Sequence, residues 1–244
     1  MNTFHKTLLA TALMGTTAAA HAQLDFNIGA VSNYVFRGVS QTGDDAAVQG
    51  GVDWSHDSGV YLGTWMSNVD FGGDENAEVD FYGGIAGETD GGLGWDVGAL
   101  YYHYPGGGNI DYAEIAGSLS YGPVSGGIAY TFYGETGLDT PFDEGDIYAN
   151  AAIDLPLNLP EGVSLSIFGG YYWFNNDGDT FYDNGGTTPG TETSDYGHVG
   201  ASLSKDAGDW GSVSVNLEYV DGDDDERPAA DDDALFWVGW SKGF

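Results

Sequence analysis

The chain carries 38 acidic residues against five lysines and arginines, a formal net charge of −33. Any chemistry it performs on charged groups therefore centres on carboxylates. Asp53, Glu78, Asp80, Asp96, Glu114 and Glu218 fall on alternating positions of strand-like segments, joined by Tyr102, Tyr104, Tyr112 and a single cation, Arg37. Rings of Asp and Glu favour cations in a pore. A lone arginine among them is costly to desolvate unless it is paired. The expected constellation is Arg37 tethered to Glu78, Asp80 or Glu114 near the constriction of a narrow, cation-preferring lumen. The same arginine could equally be a structural counter-ion that braces the wall.

Other chemistries find little support. His56, His103 and His198 are available for acid–base work, but neither Gly-x-Ser-x-Gly nor His-Glu-x-x-His occurs. These histidines read as ordinary interfacial or surface residues, so no catalytic residue and no cofactor are expected. The absence of cysteine excludes thiol chemistry and a disulfide scaffold. The acidic balance excludes nucleic-acid binding, which needs clustered Lys and Arg. Asp177-Gly-Asp179 and Asp221-Gly-Asp223-Asp-Asp225 offer hard oxygen ligands suited to Ca²⁺, without the EF-hand register. The competing reading of such runs is a solvated loop, and no metal site is assigned.

The elements that must position these residues are strands. Period-2 alternation predicts twelve, over 24–37, 47–56, 59–68, 77–86, 92–104, 111–121, 124–133, 147–154, 163–174, 195–205, 211–221 and 234–244. Most come near the roughly 9–11 residues that a tilted strand needs to cross a bilayer. The short, Pro-flanked 147–154 segment leaves ten or fourteen strands open. Connections alternate between long and short, with 154–162 as the exception. The six longer ones (38–46, 68–76, 105–110, 134–146, 175–194 and 221–233) hold 22 acidic residues and one basic residue, Arg227. Long outer loops alternating with tight turns is how transmembrane barrels are organised.

The strand faces sort in the same way. Phe26, Ile28, Ala30, Tyr34 and Phe36 oppose Asp25, Asn27, Asn33 and Arg37. Val213, Val215, Leu217 and Tyr219 oppose Ser212, Ser214, Asn216 and Glu218. Apolar outward and polar inward is a barrel wetted inside; a soluble barrel or sandwich would reverse the faces, and periodicity alone does not separate the two. Tyr34, Phe36, Trp54, Trp95, Tyr121, Trp210, Trp240 and Phe244 fall where interfacial aromatic girdles would lie. Residues 1–22 read as a secretory signal peptide, cleaved after Ala20-His21-Ala22. The last strand ends on Phe244, the kind of ending that barrel-assembly machinery reads.

Ser32-Asn-Tyr-Val-Phe-Arg-Gly-Val-Ser-Gln-Thr42 resembles the opening motif of the TorF-type proteobacterial porin family, exported proteins of unknown function. Further matching pieces follow in order: Trp54 to Gly59, Gly63-Thr-Trp-Met-Ser-Asn-Val-Asp-Phe71, Glu78-Val-Asp-Phe-Tyr-Gly83, Trp95-Asp-Val-Gly98, Tyr102-His-Tyr-Pro105, Glu114 and the terminal Phe. The resemblance covers nearly the whole chain after residue 22 and implies an outer-membrane barrel.

Together these readings predict an all-β, antiparallel up-and-down transmembrane β-barrel of about 12 strands over 23–244. With the N-terminus in the periplasm, Arg37, Glu78, Asp80, Glu114 and Glu218 lie near the outer mouth, and Asp53 and Asp96 lie lower. The expected role is passive diffusion of small hydrophilic or cationic solutes across the outer membrane. The alternative is a closed barrel serving envelope structure or surface binding through its acidic loops, which loop 175–194 folded inward would favour. Expected partners are outer-membrane lipids, lipopolysaccharide and the assembly machinery.

Overall fold

The computed structural model describes residues 23–135, 143–175, 195–221 and 234–244. Residues 1–22, expected to be a signal peptide, most of loop 175–194, and the Asp177–Asp179 and Asp223–Asp225 ligand candidates lie outside the described residues. The strands are β1 (Gln23–Val31), β2 (Val35–Phe36), β3 (Val39–Ser40), β4 (Ala47–Ser55), β5 (Val60–Asn68), β6 (Ala77–Glu88) and β7 (Leu93–His103). They continue as β8 (Tyr112–Tyr121), β9 (Val124–Gly134), β10 (Ile147–Asp154), β11 (Val163–Trp173), β12 (Tyr196–Asp206), β13 (Ser212–Asp221) and β14 (Ala234–Gly243). A single 3₁₀ turn, Gly208–Trp210, joins β12 to β13.

All strands except β2 and β3 join one closed antiparallel barrel of twelve, in which β14 pairs with both β13 and β1. At the seam Ala30 faces Trp240 and Asn27 faces Gly243, and Phe26 and Phe244 exchange backbone hydrogen bonds at 3.3 and 2.8 Å. Closure leaves none of the twelve described strands as a free edge, which is what hydrocarbon demands of a spanning sheet.

The direction of the faces settles what periodicity left open. Phe26, Leu62, Phe81, Ile115, Ile128, Val199, Leu217 and Phe236 all point outward and are exposed, whereas Ser166, Ser202, Asn216 and Glu218 point inward and are buried. A belt of this kind far exceeds the apolar patches that soluble monomers present to water, and it is the stable face against lipid tails. The chain is a transmembrane barrel. A bulge in β9 places Phe132 and Tyr133 both outward, so that Thr131 faces Glu114 across the strand pair and both side chains turn inward.

The first predicted strand is shorter than expected. β1 stops at Val31, and residues 32–46 turn into the lumen instead of running on to 37. The Ser32 amide donates to the Val238 carbonyl at 2.9 Å while the Ser32 hydroxyl accepts from the Val238 amide at 3.0 Å, which closes off the strand end. β2 and β3 then form a small hairpin of their own, Val35 opposite Ser40 and Phe36 opposite Val39. Its two-residue turn is Arg37-Gly38, at φ 52° and 83°. Two successive left-handed residues make the tight turn that matches strand twist, a geometry ordinarily filled by Asn-Gly. Tyr34 and Phe36 are consequently 6% and 8% exposed inside the barrel, not in an interfacial girdle.

The hairpin divides the interior at the loop end into two packed clusters. Val35 and Val39 pack with Tyr148, Tyr172, Phe174, Tyr196, Val220 and Leu235 on one side. Tyr34 and Phe36 pack with Ala47, Val69, Tyr102, Tyr104 and Tyr112 on the other. Toward the opposite end, where the tight turns lie, inward positions such as Ser120 and Asn27 are exposed and Asp53 and Asp96 are half-buried. The lumen is therefore filled at the loop end and wetter at the turn end.

Candidate functional site

Arg37 sits at the tip of the inward hairpin, and the barrel wall meets it with a preformed set of contacts. Its two terminal nitrogens donate separately to Glu114 Oε1 and Oε2, each at 2.7 Å, with the two side chains 4% and 3% exposed. This is the bidentate fork that guanidinium and carboxylate planes form with one another. The Arg37 carbon Cζ lies 4.2 Å from the ring centre of Tyr148, 4.7 Å from Phe36 and 5.4 Å from Tyr172, within cation–π range. The Tyr196 hydroxyl donates to the Arg37 carbonyl at 2.8 Å, so the backbone of the tip is held as well as the side chain.

The neighbouring carboxylates are arranged round the same hairpin. Glu78 accepts from the Tyr34 hydroxyl at 2.8 Å and from Tyr104, and is 2% exposed. Tyr102 donates to Glu114 Oε2 at 3.0 Å and stacks on Tyr112 with ring centres 4.2 Å apart. Asp80 is 7% exposed, and its Oδ1 has no hydrogen-bond partner. On the far side of the tip, Glu218 Oε1 lies 2.5 Å from His198 Nδ1, and His198 Nε2 contacts the Tyr148 hydroxyl at 2.8 Å. Lower in the barrel, Asp53 accepts from Tyr82 at 2.5 Å and from Asn27 at 3.2 Å, and Asp96 accepts from Tyr61 at 3.1 Å. The Tyr82 ring lies across Gly63, where a Cβ would collide with it. A glycine at that position lets the phenol cross the wall to reach Asp53.

Every residue proposed from the sequence for the lumen is thus on the inward side, and Arg37, Glu78, Asp80, Tyr102, Glu114 and Glu218 gather round the hairpin. Three differences stand out. Arg37 is at a hairpin tip and not on the inward face of the first strand. His198, expected at an interface or the surface, is buried and bridges Glu218 to Tyr148. Tyr148, Tyr172 and Tyr196, which form the aromatic half of the pocket, were not singled out. Their signal was present: each alternates in register with small or polar inward residues such as Asn150, Gly170 and His198. His56 lies in a tight turn, hydrogen-bonded to Ser58, as expected. His103 reaches Asp111 at 2.6 Å on the outer rim.

Asp111 anchors the loop between β7 and β8. It accepts from Tyr101 at 2.6 Å, from His103 and from the Tyr104 amide at 2.9 Å. Partial burial would raise its pKa, but these hydrogen bonds outweigh burial and hold the carboxyl below its usual range. Among the described residues no group of three or more His, Cys, Asp or Glu is placed to hold a metal ion.

A family model named Gcw_chp, described as a bacterial protein of unknown function, matches residues 15–234. The chain belongs to the Gcw_chp family. That description does not carry the TorF-type name to which the opening motif was likened. No curated protein matches the chain. Among solved structures, this Gcw_chp chain is similar to the KdgM porin at 10% identity and a TM-score of 0.51, over 91% of this chain and 98% of that one. It is similar to the NanC porin at 14% identity and the same TM-score of 0.51, with the same coverage of 91% and 98%. At these identities the likeness is one of fold: the described strands of this Gcw_chp chain close a barrel of the kind those porins build.

Proposed function

We propose that this protein is an outer-membrane channel for passive diffusion of small hydrophilic solutes, cation-preferring, with the 32–46 segment as a plug at its outer mouth. The observation that carries the reading is the inversion of faces: an apolar outer belt round an interior lined by Asp53, Glu78, Asp80, Asp96, Glu114 and Glu218. A barrel that served only as a wall would have no use for so many carboxylates in its interior, because desolvating such groups costs free energy. The negative lining would raise the local concentration of cations and repel anions. With the N-terminus in the periplasm, the loop end faces outward, and the plug lies between the extracellular solution and the wetter half of the lumen. The porin fold of KdgM and NanC supports transport over catalysis.

A second reading has one observation in its favour. Residues 32–46 fill the loop end of the lumen, which is what a closed barrel acting in envelope structure or surface binding would show. Planar-bilayer recording of the refolded protein under a salt gradient separates the two. Discrete steps with a cation-directed reversal potential support the channel, and charge reversal at Asp80 and Glu114 should move that potential toward anions. A folded barrel that stays electrically silent, or one that passes anions better, overturns the reading.

A further inference from the structure

The pocket round the hairpin tip supports an inference that rests on the channel reading and extends it to a substrate class. We propose that the pocket holding Arg37 is a recognition site for guanidinium-bearing solutes, which Arg37 fills as a built-in stand-in. Apart from Phe36, its walls belong to the barrel: Glu114 on β8, Tyr148 on β10 and Tyr172 on β11. The site is therefore a feature of the lumen that the hairpin enters, and it remains when the hairpin leaves.

The geometry reads a guanidinium and not merely a positive charge. Glu114 meets both terminal nitrogens at 2.7 Å in a parallel fork, and the rings of Tyr148 and Tyr172 lie at 4.2 and 5.4 Å from Cζ. An ammonium has neither the plane to stack nor the fork to match. The Arg37 Nε is buried without a hydrogen-bond partner, so the barrel reads only the terminal fork that any alkylguanidinium also presents. Arg37 itself pays for its place with a left-handed backbone, φ 52°, a conformation in which glycine sits without strain. Asp80 Oδ1, partnerless in the same wall, leaves an acceptor for a second polar group on the solute.

A tethered arginine competes at high effective concentration, so an external guanidinium gains the site only as the hairpin moves out. That movement also clears the outer mouth. Binding of the solute and opening of the lumen are one event, and the solute that opens the channel is the one the pocket selects.

Arg37→Gly empties the pocket and suits the backbone of the turn. The refolded variant is titrated with methylguanidinium and with methylammonium, followed by calorimetry and by thermal melting. Methylguanidinium is expected to bind Arg37→Gly saturably and raise its melting midpoint, with methylammonium weaker by about tenfold or more. The Arg37→Gly/Glu114→Gln double variant should lose the binding, and wild-type protein, whose pocket is full, should show none at the same concentrations. Equal binding of both cations, or binding of neither, overturns the proposal. Should Arg37→Gly not fold, bi-ionic reversal potentials, with methylguanidinium chloride and methylammonium chloride on opposite sides of a planar bilayer, replace it. Wild-type protein is expected to admit methylguanidinium more readily, relative to methylammonium, than Glu114→Gln does, and an equal ratio overturns the proposal. Binding by Arg37→Gly in a protein that never conducts would remove the channel reading and leave the site; a conducting channel without guanidinium preference would remove the site alone.

Discussion

Replacing Glu114 by Gln keeps the shape of the side chain and removes its charge, so it isolates what the buried pair does for the plug. In the native lumen the two side chains are 4% and 3% exposed, and two charge-assisted hydrogen bonds of 2.7 Å join them. Each such bond contributes roughly 1.5–3 kcal/mol, and removing one partner of a buried pair costs about 3–5 kcal/mol. The Gln amide keeps a single acceptor oxygen, which at the Oε2 position still serves Arg37 and Tyr102, while its NH2 meets the other Arg37 nitrogen donor to donor, so the loss is at least about 3 kcal/mol. If that loss falls on the equilibrium between hairpin in and hairpin out, the closed state weakens by about two orders of magnitude. The assay is single-channel recording in planar bilayers, with heat-dependent gel mobility as the check that the barrel itself is folded. Open probability should rise steeply in Glu114→Gln, and the rise should persist at high salt, because a buried pair is little screened. A folded Glu114→Gln barrel with wild-type open probability and wild-type melting would refute the idea that this pair holds the plug.

Other perturbations test the remaining parts of the reading. Gly38 sits at φ 83° with Val220 and His198 within about 3 Å of where a Cβ would be. Gly38→Val should destabilise the inward hairpin by about 1–2 kcal/mol from the backbone alone, lowering the melting point and raising conductance; an unchanged channel would count against a plug. Leu217→Lys places a charge on the lipid face and should cost about 2–4 kcal/mol in urea unfolding from vesicles, while Asn27→Lys, exposed on the inward face at the wetter turn end, should cost markedly less. Equal costs would contradict the assigned faces. Because the folded Asp111 carboxyl titrates below its ordinary range, its contribution is complete above about pH 4 and is lost only as pH falls through the folded value. Protection of the Tyr104 amide, taken relative to its intrinsic exchange rate at each pH, should therefore be full at neutral pH and be lost only in strong acid. Asp111→Asn should speed exchange about fivefold at pH 7, reflecting roughly 1 kcal/mol, and an unaltered rate would remove Asp111 as the anchor of that loop.

The pieces of sequence that carried the resemblance meet one another in space. Tyr34 reaches Glu78, Arg37 reaches Glu114, and Phe36 packs edge-on against Tyr102 with ring centres 5.9 Å apart. Segments separated by as much as 77 positions thus form one plug and its socket. Nothing in local alternation signals such a joint, because a period-2 pattern records only which side of a strand a residue occupies.

Strand number and, for every strand but the first, the approximate strand limits were legible from residues alone. Each strand's two faces meet different solvents, and that difference is written position by position, as in Val213 to Tyr219 against Ser212 to Glu218. The inward carboxylates were legible for the same reason. Two things were decided by tertiary structure. The first is which face looks out, since Leu217 outside and Asn216 inside follow from closure round a wet lumen and not from their order in the chain. The second is the path of residues 32–46. Asn33-Tyr-Val-Phe36 alternates as a strand would and was expected to continue one, with Arg37 on its inward face. It leaves the wall because Ser32 closes the strand end against Val238, Arg37-Gly38 turns the chain back, and Glu114 with Tyr148, Tyr172 and Tyr196 receives the tip. Those partners come from four other strands, and only the closed barrel brings them to one place.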